Sequence, residues 1–437
     1  MCIRDRSEAE AAGTKIALAR ERPTENMEAY TSYLRGQHLI KSRIGDDMFK
    51  ALREFRYAVE LDPDFAEAHV GVANGYSLLA NYGYRNIDEV GPLAEASVER
   101  ALALNPELGS AWAAKNLLAE MRGAPLEEKL ALIEKAVALN PKDPQSLAWL
   151  ATDYGQALRF DDELAAFEKA YSLDPLSPLI LYNLSLTYKE RGRDDQAQRL
   201  ANELEALMPH RANPYRVRAQ LARLESDFVG ETRWHHRALS TNPRSVPSLL
   251  ELAQNAWEFG AYDAALRYAR RVREISPSNV YAIMNESWAL RLMGLESEAD
   301  AVLEQAMQLY PADQNLLAEM ADAAYQAGDN ERFLSYMQQS VPGLFADPPE
   351  IEHGPGFIRA HSVAWALRLR GDHERSEAII AAYEAFVRPR RHIYPDSAET
   401  WLGQRVAAAR GDVVALERAL RRQLAESAMF TRILVDP

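Results

Sequence analysis

Apolar residues in this chain recur at helical spacing, in short bursts that come in pairs. Ahead of Pro175, Leu147, Leu150, Ala151 and Tyr154 fall at i, i+3, i+4 and i+7, one apolar stripe along a helix. After a polar turn at Asp161 and Asp162, Leu164, Phe167, Ala170 and Tyr171 draw a second stripe. The pair stops at Leu173-Asp174-Pro175, because proline lacks an amide donor and disfavours helix at the residue before it. The unit then repeats. Pro141, Pro175, Pro209, Pro243, Pro277 and Pro311 stand 34 residues apart, with Pro63 and Pro106 at wider intervals upstream. Gly192, Gly260, Gly294 and Gly328 fall between the two stripes of their units, where a left-handed residue ends a helix. A fixed period of this length predicts stacked helix pairs, each unit touching only its neighbours.

The residues at these offsets resemble the tetratricopeptide repeat family. Leu150-Ala151, Tyr154, Phe167, Ala170 and Pro175 match its pattern in one unit; Tyr188, Gly192, Ala197 and Pro209 in the next; Leu252-Ala253, Gly260, Ala265 and Pro277 further on. The resemblance implies an all-α, right-handed superhelical solenoid of about eleven helix pairs. It covers 29–341 as a repeat array. An irregular Pro/Gly-rich loop follows at 342–356, then divergent helix pairs at 357–437 with Gly371 and Gly411 as their turns. Two departures stand out. Asn81-Tyr82-Gly83-Tyr84-Arg85-Asn86-Ile87 lengthens one turn, either as a contact site or as a lid on the neighbouring unit. Ser42-Arg43-Ile44-Gly45-Asp46 makes a long turn in the first unit.

At the front, Arg22 to Tyr30, Tyr33-Leu34-Arg35-Gly36 and Ala58 to Pro63 resemble the lead-in to repeat regions of bacterial class III adenylate or guanylate cyclases and winged-helix transcriptional regulators. Residues 1–6 are then expected to be a sequence artefact, and 7–28 a linker helix from a domain upstream. The resemblance implies a scaffold or regulatory module of a bacterial signalling protein that binds a protein or peptide. The alternatives are a non-catalytic part of a repeat-containing enzyme, such as a glycosyl transferase, or an envelope assembly or export factor.

Composition narrows the chemistry. The 437 residues carry a formal charge of −14, which opposes nonspecific nucleic-acid binding. The arginines at 388, 390 and 391, and at 418, 421 and 422, are read as solvated helix faces and ends. A single cysteine, Cys2, allows no disulfide within the chain, which suits a reducing compartment, and a cytoplasmic location is the expectation. No apolar run approaches the roughly 20 residues of a spanning helix. Phosphate loop, His-Glu-x-x-His pair and nucleophile elbow are all missing, so no catalysis and no cofactor are expected. His235 and His236 are adjacent and read as a helix-surface pair; His353, His361 and His373 share no common face. No metal is expected.

In the tetratricopeptide family the first helix of each pair lines the inner wall. Offsets from each proline then place Tyr182, Lys189, Arg216, Gln220, Arg223, Gln254, Trp257, Tyr281, Trp288, Arg291, Asn315, Asp322 and Tyr325 on a partner-binding face. Aromatic residues and arginine dominate such surfaces. Trp112 and Trp149 sit nearer the apolar stripe and are expected in the core. The family's carboxylate clamp is not inferred, because Glu251 takes one of its positions beside Arg216 and Gln220.

Overall fold

The computed structural model describes residues 23–351, 355–387, 406–415 and 417–418. Every regular element among them is a helix. The chain divides into two compact units, Met1–Met293 and Gly294–Pro437.

The first unit contains α1 (Met27–Ile40), α2 (Gly45–Leu61), α3 (Ala66–Asn81), α4 (Ile87–Leu104), α5 (Gly109–Met121), α6 (Leu126–Leu139), α7 (Pro144–Gln156) and α8 (Phe160–Leu173). It continues with α9 (Pro178–Glu190), α10 (Asp194–Leu207), α11 (Asn213–Leu224), α12 (Phe228–Thr241), α13 (Val246–Glu258), α14 (Tyr262–Ile275) and α15 (Val280–Leu292). Helices α1 to α14 pack as seven successive hairpins. Their boundaries follow from single residues. Asn26 accepts the amides of Glu28 and Ala29, and Asp143 that of Ser146, so α1 and α7 begin capped. Pro144, Pro178, Pro214 and Pro247 occupy first turns, where a missing N–H is harmless. At the far end Asp62 and Asn105 turn extended as each second helix meets its proline.

The turn inside each hairpin needs a positive φ. Beyond the glycines at 192, 260, 294 and 328, the series is completed by Leu158 and Ser226, each at φ 59. These two keep the same 34-residue step, so the period survives where glycine does not. Arg43, at φ 52, holds the corresponding turn in the first hairpin.

The expectation of neighbour-only contact fails in this unit. The side-chain amide of Asn213 donates to the Ser42 carbonyl at 2.7 Å, and Arg211 pairs with Asp47 at 3.0 Å. Tyr84 donates its hydroxyl to the Arg244 carbonyl at 3.2 Å, and Asn279 donates to the Gly83 carbonyl at 2.7 Å. The 81–87 turn therefore packs on hairpins far along the chain as well as on the unit beside it, where Tyr84 meets Phe49 edge-on at 6.2 Å and Arg85 lies 4.9 Å over the same ring. Met48, Phe55, Leu78 and Tyr84 share one apolar core with Val246, Leu249, Leu252 and Val272. The stack curls until its first two hairpins meet its last ones. Gly83 permits the closest approach: a Cβ there would lie 2.5 Å from the Asn279 amide nitrogen.

The second unit contains α16 (Glu296–Leu309), α17 (Gln314–Gln326), α18 (Asn330–Ser340), a 3-10 turn (Pro342–Phe345), α19 (Pro355–Leu369) and α20 (His373–Val387). Helices α17 and α18, and α19 and α20, form hairpins around Phe333, Met337, Val363, Leu367 and Ile379. Gly371 and Gly411 take the positive φ expected of their turns. The segments 1–6 and 7–22, residues 352–354, the arginines at 388–391, 421 and 422, and most of the last helix pair lie outside the described residues.

Candidate functional site

Where the first unit closes on itself it leaves a cavity of about 480 Å³. Its walls come from the first helices of successive hairpins: Asn116 and Glu120 on α5, Trp149 and Asp153 on α7, Tyr182 on α9, Arg216 on α11, Glu251 on α13 and Tyr281 on α15. Tyr82 and Gly83 of the long turn and Arg43 of the first turn complete it. Both signs of charge are present. Asp153 accepts from Asn116 at 2.7 Å, and burial pushes its carboxyl above the usual range. Glu120 receives the ammonium of buried Lys129. Burial likewise raises Glu251, against the pull of Arg223 and Arg216. The Tyr182 phenol is raised by burial. Arg216 lies 5.6 Å from the Tyr82 ring centre and 5.8 Å from that of Tyr182, a cation held between two aromatic faces.

The residues expected on one inner wall thus separate. Tyr182, Arg216 and Tyr281 line the cavity. Gln220 and Arg223 are engaged with neighbouring side chains: Gln220 donates to Glu251 at 3.3 Å, and Arg223 pairs with Glu231 at 2.8 Å and Glu258 at 3.3 Å. Gln254 also bonds Glu258, at 2.9 Å. Lys189 pairs with Asp194 and Glu225 at 3.1 and 2.7 Å, beside a separate cleft. Trp257 tilts against Trp288 at 6.0 Å, two residues before the exposed Phe259, while Arg291 is half-buried near the end of α15. Asn315, Asp322 and Tyr325 belong to the second unit. There Asn315 is exposed, Asp322 is bound by Arg359, and Tyr325 packs 5.1 Å from Phe333.

Trp112 and Trp149, expected in the core, are each half-buried and pack against Ala113, Ile133, Ala136 and Leu150. Trp149 also lines the cavity, and the Lys135 ammonium lies 3.3 Å over the Trp112 ring. One expectation needs correction. His235, read as half of a surface pair, is 1% exposed. It lies on the buried stripe of α12 with Glu231 and Ala238, and that i, i+4, i+7 spacing was the signal available in the sequence. Glu231, His235 and Glu251 hold their ligand atoms within 4.8 Å of one another. Arg223 already occupies one oxygen of Glu231, and the charges of Arg216 and Arg223 beside His235 oppose a cation there.

That pocket has a pH signature. Burial first, then Arg216 and Arg223, bring the His235 pKa down to about 3. In the unfolded chain it returns to roughly 6.5. Between those values the unfolded state holds the extra proton, so stability contributed by neutral His235 is lost as pH falls. Glu251 and Asp153, raised by burial, work in the opposite direction, so the effect is read as a difference. From pH 6.5 to 5 the wild-type chain is expected to lose about 2 kcal/mol more than His235→Gln. Parallel urea-unfolding profiles for the two proteins would contradict this.

No family model matches the chain, and no curated protein matches it. Among solved structures it is similar to yeast Tom70, at 15% identity and a TM-score of 0.45, over 74% of this chain and 67% of that one. It is similar to a human IFIT1 dimer with m7Gppp-AAAA, at 15% and 0.44, over 89% and 90%. It is also similar to the APC/C hetero-tetramer Cut9-Hcn1, at 14% and 0.41, over 73% of this chain; the chain spans about half of that one, 54%.

Proposed function

We propose that this chain is a non-catalytic protein-interaction module, and that it grips a partner segment at the far end of its first unit. The carrying observation is an aromatic cluster across adjacent hairpins, exposed at Trp257 and Phe259 and half-buried at Phe228 and Trp288. Phe259 is 62% exposed and sits 5.4 Å from Phe228; Trp257 is 37% exposed and tilts against Trp288. Large rings left in water, with exposed Leu292 and Met293 at the end of the helix that carries Trp288, are the composition of a binding hot spot. Arg223, which the sequence placed among the binding residues, is committed to Glu231 and Glu258, so it offers little to an acidic partner. The net charge of −14 favours a partner with basic flanks. The reading is an aromatic- or leucine-bearing peptide or helix with lysine or arginine around it. A signalling parent remains a proposal resting on the lead-in residues. Of these, Thr24 and Asn26 also serve the fold, bonding Asp62 and the Leu61 carbonyl.

An array of 15-residue peptides of varied apolar and basic content tests this directly. Peptides combining both features should bind, and Trp257→Ala with Trp288→Ala should weaken them by at least tenfold, the scale of truncated hot spots. Binding that ignores the double replacement in a chain of unchanged helicity would reject the surface.

A further inference from the structure

We propose that the central cavity of the first unit is a binding site for a small organic carboxylate with a flat apolar body, held by Arg43 and Arg216. This site is independent of the aromatic docking surface. Arg43 carries the inference. It is 6% exposed, and its Nε and Nη1 have no hydrogen-bond partner. Its side chain borders both the main cavity and a smaller one of about 160 Å³ beside it. A buried guanidinium without a partner is costly, and burial lowers its pKa accordingly. Arg43 also sits at φ 52, in a turn position that most later hairpins give to glycine. An arginine that is strained, desolvated and unpaired within an acidic chain is a mark of function, since an ordinary structural residue would be cheaper there.

Arg216 supplies the second cation. Among the described residues its guanidinium makes no hydrogen bond or ion pair, only the approach to the Tyr82 and Tyr182 rings. Arg43, Tyr82 and Arg216 line the same cavity, and Tyr82 also acts electrostatically on Arg43. The Arg216 guanidinium can present paired donors to a carboxylate, and Arg43, whose Nε and Nη1 are closed to solvent, adds a second positive charge at the cavity wall. Tyr82, Tyr182 and Trp149 offer flat walls to the rest of the molecule. The sign and size of the ligand follow from the other walls. Glu120, Asp153 and Glu251 leave room for one negative charge and repel two, which disfavours a phosphate monoester. About 480 Å³ lies within the range of small-molecule sites, roughly 300–1,000 Å³.

The test titrates the whole chain with benzoate, phenylacetate, 3-phenylpropanoate and indole-3-carboxylate, their primary amides, and phenyl phosphate, by calorimetry and thermal shift. At least one carboxylate should bind and raise the melting temperature, with its amide at least tenfold weaker. Arg43→Met and Arg216→Met should each weaken that binding by at least tenfold. Free of ligand, Arg43→Met should melt at or above the wild-type temperature, because an unpaired buried charge has been removed. The proposal is overturned if no carboxylate binds, if amides bind as well, or if phenyl phosphate binds more tightly. It is equally overturned if Arg43→Met retains binding, or if it melts lower without ligand, which would make Arg43 a structural residue.

Discussion

Replacing Arg223 by methionine is expected to remove about 3–5 kcal/mol from the stability of the first unit. Glu231 is fully buried, and its Oε1 accepts from Arg223 at 2.8 Å. The same guanidinium bonds Asn255 at 3.0 Å. Its Oε2 has no hydrogen-bond partner. Without Arg223 the carboxylate has no compensating cation in contact and must either stay charged at high cost or take a proton. Two consequences separate this from simple loss of packing. The deficit should shrink as pH is lowered toward 5, and Arg223→Met with Glu231→Gln should recover most of it. Urea unfolding at pH 8 and pH 5 for both variants measures the effect. A pH-independent deficit, or a double variant no better than the single one, would mean that the pair is not what holds α11, α12 and α13 together.

The second large effect lies in the first hairpin. Phe55→Ala is expected to cost about 3–5 kcal/mol. The ring is fully buried and fills the space between α1, α2 and α3. Its neighbours have been cut to fit: a Cβ on Gly36 would lie 2.6 Å from the ring, and one on Gly71 only 2.4 Å. Tyr33 tilts against it at 5.9 Å. Gly71→Ala by itself should cost about 1–3 kcal/mol by overpacking. In the Phe55→Ala background the same change should be nearly neutral or favourable, because the methyl enters the vacated space. Additive costs in this double-mutant cycle would show that the ring and the glycine do not share the site.

The helix pairs were legible because proline and glycine punctuate them in phase. Leu158 and Ser226 show how robust that signal is, since the turn persists where its usual residue does not. The closure was not legible. The partners of Gly83 and Tyr84 are Asn279 and Arg244, 196 and 160 residues away, and no local periodicity reports so distant a pairing. The cavity was half legible for the same reason. Tyr182 and Arg216 lie one period apart, so offset counting finds them together. Arg43 sits in a turn outside the regular period, where offset counting does not reach. His235 was misjudged by considering its neighbour in sequence instead of the stripe it shares with Glu231.

The bond between Asn279 and Gly83 also sets a clock for synthesis. Chains grow at roughly 5–20 residues per second, so about 10–40 s pass before the later strut leaves the ribosome. For that interval the leading two hairpins carry Met48, Leu78 and Tyr84 with half their lining absent. Until the middle of the chain arrives, that apolar surface at its front has nothing from Leu239 to Ala282 to cover it.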